Sequence, residues 1–345
     1  MSGAIDRLLA SEEPCIQYKV RVGVLGESPD SAGDGPQSPN VVIGDPIRQL
    51  QMAIRDCPRV RTLLSEVGAD GRIPTGPYNK WRGAHWVLAQ LSDLGYPPRD
   101  RAIRPLVDQA ITWALSVKAV VVNGRARRCA SQQGYALLYM IRLGQFDKRC
   151  NELAQRLIRW QWPDGGWNCD KRPGAQCSSV HETLLPFRGL EAYARLTGNR
   201  EAAVAASRAA EFFLQRRLMW RASTGEPIRP SFMLLSYPYY WHYGLLAALR
   251  AMADAGRIGD PRCADALDVL ESKRLADGMF PMELKHYDPY SPVKAAAKAG
   301  AAGPLIPTRS GGSLVRWGRG GKTAGNEFVT AEALTILKAA GRLAP

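Results

Sequence analysis

Residues 160–170 read "WQWPDGGWNCD", and the chemistry packed into them sets a pattern for the whole chain. A polar run with helical spacing ends at Trp160 and Gln161. Pro163 lacks the backbone N–H that another helical turn would need, and Asp164-Gly165 supplies turn chemistry. Trp167 follows the turn as a large apolar side chain that must plug a gap between neighbouring helices. The same punctuation recurs as "ADGRIP" at 69–74 and "ADGMFP" at 276–281, each time after a polar helical run.

Outward from these turns, apolar residues recur at helical spacing over 79–95, 129–144, 179–198, 239–256 and 326–341, and every segment closes on glycine. More polar helical runs alternate with them at about 46–67, 101–117, 148–162, 200–218 and 260–275. Helical hairpins repeated every ~50 residues fit the period range of helical arrays. With 13–25 as one further apolar helix, the expected fold is all-α: an α/α toroid (α6/α6 barrel) of six apolar helices ringed by six polar ones. An open solenoid is the alternative. Residues 1–43 are expected to form an N-terminal helix and a flexible loop, and 44–345 a single toroid domain. Within these, 26–42 and 287–325 are long and dense in Pro, Gly and Ala, as mobile loops or lids are.

The 345 residues are 46% apolar, enough for a sizeable core. The start has no basic head followed by an apolar block, and no segment approaches the ~18 apolar residues of a membrane span, so a cytoplasmic location is expected. Seven scattered cysteines argue against a disulfide framework. A formal net charge of +14 implies an anionic partner. Lys80, Arg82, Arg125, Arg127, Arg128, Lys171, Arg172, Arg316, Arg319 and Lys322 precede or open the apolar helices, where cations and helix N-termini together suit an anion.

Gln161, Gly165 and Trp167 stand in the Q-x-x-x-G-x-W order of the QW motif, and the chain resembles the terpenoid cyclase and protein prenyltransferase superfamily over about 44–341. It is most similar to the bacterial proteins described as squalene-cyclase-like or prenyltransferase-like. The resemblance implies a toroid with a central cavity, and prenyl transfer or a noncanonical cyclisation. Neither the D-x-D-D acid run nor the D-D-x-x-D magnesium box of the cyclases is present, which argues against squalene or diterpene cyclisation. The "HETLLPFRGL" phrase is similar to the zinc-histidine helix of the prenyltransferases and places His181 at the matching position.

Zinc is therefore the candidate cofactor, with Cys169, Cys177, His181 and His242 as candidate ligands, Asp170 as an alternative on the loop and Cys129 in reserve. His181, His242, Asp170 and Glu182 are the candidate catalytic residues. Lys80, Trp81, His85, Arg128, Trp167, Lys171, Trp241, Tyr243, Asn326 and Glu327 are the candidate substrate-binding residues, because they cluster near the starts of the apolar helices. The histidines polarise or deprotonate, while the aromatic rings bind by area and by ring quadrupole. The expected partner is a partly hydrophobic, anionic small molecule. Two rivals use the same residues. A polysaccharide lyase or hydrolase would turn His242, Tyr243, Asn326 and a rim arginine on a uronate. A non-enzymatic basic helical repeat would bind nucleic acid or a protein, but it needs cations along one continuous face, whereas these cluster at helix starts.

Overall fold

A computed structural model of the chain describes residues 2–28, 45–289 and 312–343. Most of the loop expected over 26–42, and 290–311 of the one expected over 287–325, lie outside the described residues. The architecture is mostly helical. Its helices are α1 (Ser2–Leu9), α2 (Pro14–Gly23), α3 (Pro46–Asp56), α4 (Pro58–Leu63), α5 (Ala84–Leu94), α6 (Arg104–Ser116), α7 (Ala130–Arg142), α8 (Lys148–Trp160), α9 (Val180–Thr197), α10 (Arg200–Leu214), α11 (Leu245–Asp254), α12 (Ala264–Glu271) and α13 (Glu327–Ala339). A short antiparallel ribbon, β1 (Val120–Val122) with β2 (Arg125–Arg127), leads into α7.

Two kinds of helix alternate, as the sequence pattern predicts. In α8 only Cys150, Leu153, Ala154 and Leu157 are buried, a single i, i+3, i+4, i+7 stripe. In α7 every residue from Ala130 to Met140 is buried, and in α13 every residue from Phe328 to Leu337. With α2, which buries only Cys15, Ile16 and Val20, the all-round helices touch in a definite order: α2 packs on α5, α5 on α7, α7 on α9, α9 on α11, α11 on α13 and α13 on α2. The striped helices lie against them, α6 on α5 and α7, α8 on α7 and α9, α10 on α9 and α12 on α11.

The α7–α9 contact is close because both helices present glycine. A Cβ on Gly189 would sit 2.5 Å from the carbonyl oxygen of Gly134, well inside van der Waals contact.

The three Asp-Gly turns share one hydrogen-bonded geometry. Gly71, Gly165 and Gly278 have positive φ, and each donates its N–H to the carbonyl three residues back, on Gly68, Trp162 and Leu275, at 2.9, 3.0 and 2.9 Å. The N–H groups of those same three residues donate to the carbonyls of Arg72, Gly166 and Met279 at 2.8, 2.8 and 2.9 Å. The residue three after each Asp, Ile73, Trp167 or Phe280, is buried as a plug. Gln161 Nε2 donates to Gly165 O within its own turn and to Ala205 O in α10, both at 2.8 Å, and so staples one hairpin to the next.

Two apolar segments begin later than their periodicity suggests. Residues 79–83 and 239–244 form turns, and α5 and α11 start only after Gly83 and Gly244. A Cβ on Gly83 would lie 2.5 Å from Gly76 O, so the chain enters α5 pressed against its own preceding loop. These two turns carry Lys80, Trp81, Trp241 and His242.

Candidate functional site

The turns before α5 and α11 lay an aromatic and basic mouth over the starts of the all-round helices. Lys80 Nζ stands 4.8 Å from the ring centre of Trp241, 5.4 Å from that of Trp81 and 5.9 Å from that of Tyr78. Burial lowers the Lys80 pKa, and the three π-faces hold the ammonium in place. Trp241 stacks on His242 at 4.2 Å between centroids, and His242 stacks on His286 at 3.7 Å. His181 meets Trp241 edge-on at 5.2 Å and reaches His242 at 6.4 Å.

Burial keeps these imidazoles neutral: it pushes His181 and His286 down to about 4 and His242 to about 3. Their tautomers differ. His181 Nδ1 accepts the Tyr243 N–H at 2.8 Å, so its proton is on Nε2. His242 Nδ1 points at the Tyr239 carbonyl at 3.3 Å, so Nδ1 carries the proton and Nε2 keeps its lone pair. His181 and His242 thus carry their protons on different ring nitrogens.

Beside it, three acids from separate elements converge. Cys129 is the N-cap of α7, Cys169 lies on the loop after the Trp167 turn, and Glu182 is in the first turn of α9. One ligand atom from each lies within 4.8 Å of the others. Glu182 Oε2 accepts the Ser131 N–H from the first turn of α7 at 3.0 Å. Burial raises the Glu182 carboxyl. The two thiols divide their protons unequally: the Cys169 S–H lowers Cys129 by hydrogen-bonding to it, while that same contact and burial raise Cys169. Arg128 lies close enough to lower Cys129 further by its charge.

The ligand set expected from the sequence is not assembled as such. Of Cys169, Cys177, His181 and His242, only Cys169 belongs to this group, which is the one cluster of its kind among the described residues. Cys177 is exposed on the loop, where its carbonyl accepts from Asn168 Nδ2 at 2.8 Å. Asp170 turns back on Arg172, whose guanidinium and backbone N–H hold its carboxyl down at about 2, and Lys171 beside it is exposed.

Other candidates sit in structural positions. Trp167 is buried with its indole N–H on Leu157 O at 2.9 Å. The Tyr243 hydroxyl donates to Leu218 O at 2.6 Å under the stacked ring of Phe213. His85 is buried among Trp86, Trp113 and Tyr139, with burial pushing it down to about 3. Trp81 stacks on Tyr240 at 3.7 Å and packs edge-on against Trp86. Asn326 is the N-cap of α13 and Glu327 accepts from Ser11 Oγ at 3.1 Å; both line a separate cleft of about 870 Å³ with Arg59, Arg319 and Lys322. Tyr78 and His286 complete the mouth without having been singled out. His286 carried a signal in the sequence, as one of only four histidines.

All seven cysteines are free, and no helix among the described residues is long and apolar enough to cross a membrane. Comparison with protein-family models, curated proteins and solved structures finds no match.

Proposed function

We propose that the chain is an α/α-toroid enzyme that works at the start of its apolar helices, on a small molecule with an anionic head and an apolar body. The cyclic order of contacts from α2 through α5, α7, α9, α11 and α13 back to α2 supports a closed ring. The observation that carries the site is the convergence of Cys129, Cys169 and Glu182 within 4.8 Å.

Zinc suits that donor set: two thiols, one already lowered, and a buried carboxyl are the S and O ligands it takes, and three protein ligands leave a position open, as in catalytic sites. Bound there, zinc would supply Lewis-acid polarisation of a substrate oxygen or sulfur. The chain's own residues do the rest. Ser131 N–H orients Glu182. Tyr78, Trp81 and Trp241 offer the apolar body a surface, and Lys80 among them offers its head a charge. The Nε2 lone pair of His242 accepts a hydrogen bond and the Nε2–H of His181 donates one, both imidazoles staying neutral. Prenyl transfer or a noncanonical cyclisation is the proposed reaction class, in a reducing, cytoplasmic setting that seven free thiols suit.

Protein purified without chelator should carry about one zinc per chain by elemental analysis. C129S, C169S and E182Q should each lose it and C177S should keep it. Incubation with allylic diphosphates, alone for cyclisation and with a thiol or alcohol acceptor for transfer, should release diphosphate, and H242A should slow that release. A parent protein that neither carries zinc nor takes it up on addition would overturn the metal centre, and no turnover of any allylic diphosphate would overturn the reaction class.

A further inference from the structure

From the middle of the same helices to their C-terminal ends runs a second polar constellation, drawn from all six: Lys19 of α2, Asp93 of α5, Arg142 of α7, Arg188 of α9, Arg250 and Asp254 of α11, and Glu332 of α13. Asp254 receives Arg142 Nη2 at 3.0 Å, Arg188 Nη2 at 2.8 Å and Arg250 Nε at 2.7 Å. Glu332 receives Lys19 Nζ at 2.6 Å and Arg250 Nη1 at 2.8 Å, and Asp93 receives Arg142 Nη1 at 2.8 Å.

Four cations thus face three carboxylates, and the imbalance is greater at one wall. A cavity of about 350 Å³ is lined by Lys19, Arg142, Arg188 and Arg250 but by only two of the carboxylates, Asp93 and Glu332. Gln51, Tyr18 and Ser92 add polar groups to the same wall. Asp254 stands on the far side, in a neighbouring cavity of about 480 Å³ that shares Arg142 and Arg188.

Arg188 makes the case specific. It is 5% exposed and binds only through Nη2; its Nε–H has no acceptor among the described residues. It lies in the middle of an 18-residue helix, so the partial negative charge of a helix C-terminus does not offset it. Asp254 pairs the Arg188 charge, but a buried donor left without an acceptor is costly, and Arg188 is the member of this network that carries one.

We propose that the 350 Å³ cavity is a binding site for a small oxyanion, a phosphoryl or carboxylate group that supplies the missing negative charge to Arg142, Arg188, Arg250 and Lys19. The site is independent of the zinc reading: none of the mouth residues lines it.

Isothermal titration of the full chain with inorganic phosphate and with malonate, at ionic strength matched with sodium chloride, tests the proposal. One of the two anions should bind saturably at a single site, and chloride should not. Binding of phosphate alone identifies a phosphoryl ligand, and of malonate alone a carboxylate. R188Q should weaken binding at least tenfold. Q51E, which keeps every cation and the shape of the wall but adds a carboxylate to it, should do the same with an unchanged circular dichroism spectrum, and it decides the matter if R188Q fails to fold. Saturable binding of neither anion, or wild-type affinity in Q51E, overturns the proposal.

Discussion

Tyr135 donates its hydroxyl to Asp93 at 3.0 Å, and this bond joins two regions that otherwise have opposite chemistry. On the ring side, Tyr135 belongs to the aromatic packing of Trp86, His85 and Tyr139. On the hydroxyl side it enters the charged group through Asp93, which also holds Arg142. Along the helices from α5 to α13, neutral histidines and a caged lysine give way to packed indole and phenol rings, and these to paired arginines and carboxylates.

The repeated turns make a matched pair of tests. Thr183 Oγ1 accepts the Trp167 N–H at 3.2 Å, and Thr330 Oγ1 accepts the Phe280 N–H at 2.9 Å. Each N–H is buried, so removing its acceptor leaves an unsatisfied donor. T183V and T330V should each destabilise the chain by about 1–2 kcal/mol in urea unfolding, with similar values at the two repeats. A loss at one and none at the other would mean that the turns are not structurally equivalent.

That equivalence was legible in the sequence, because Asp-Gly turns depend on residues only a few positions apart: Asp70, Asp164 and Asp277 each precede a glycine with positive φ. The alternation of apolar and polar helices was legible for the same reason. The late starts of α5 and α11 were not, since Trp81, Trp241 and Tyr243 continue the apolar spacing while their backbone turns. The thiol–carboxylate group was half legible. Cys169 drew notice as a ligand, Glu182 as a catalytic residue and Cys129 as a reserve ligand, but nothing in their spacing groups the three until the α7–α9 contact brings them together. The charged end escaped notice because its members occupy different depths on their helices and pair across long separations, Lys19 with Glu332 being the longest. An arginine in each of the apolar helices α7, α9 and α11 was a visible clue.

Close helix packing gives a second test. In G189A the new methyl would lie 2.5 Å from Gly134 O, and helix backbones on both sides leave little room to relax. A loss of about 1–3 kcal/mol is expected, as for other overpacked cores. Gly174, exposed and with nothing within 4 Å of a Cβ, is the control, and G174A should change stability by less than about 0.5 kcal/mol. Equal thermal midpoints for the two variants would contradict the α7–α9 contact.

Acid stability should report on Glu332. Arg250, Lys19 and the Tyr239 hydroxyl outweigh its burial and hold its carboxyl down at about 2, from an ordinary value of 4.5. A carboxyl lowered in the folded state stabilises above its unfolded pKa, and that contribution is lost as pH falls through the folded value. The shift corresponds to about 3 kcal/mol, present in full above pH ~5 and gone below pH ~2. E332Q should therefore lose about this much stability at pH 7, and its deficit relative to the parent should shrink between pH ~5 and ~2. Denaturant unfolding across that range measures it; a deficit independent of pH would deny Glu332 its charge in the folded chain.

The bond between Tyr135 and Asp93 can be weighed by a double-mutant cycle. Y135F removes one hydrogen bond to a carboxylate that keeps Arg142, so the charge remains paired and the cost should be moderate, about 1–2 kcal/mol. D93N removes the charge facing Arg142 and should cost more, because Arg142 then holds only Asp254 among its two carboxylates. If the phenol acts through Asp93, Y135F should cost less in the D93N background than alone, by about 0.5–1.5 kcal/mol. Strict additivity would mean that the Tyr135 hydroxyl is not coupled to Asp93, and that the aromatic and charged regions are energetically separate.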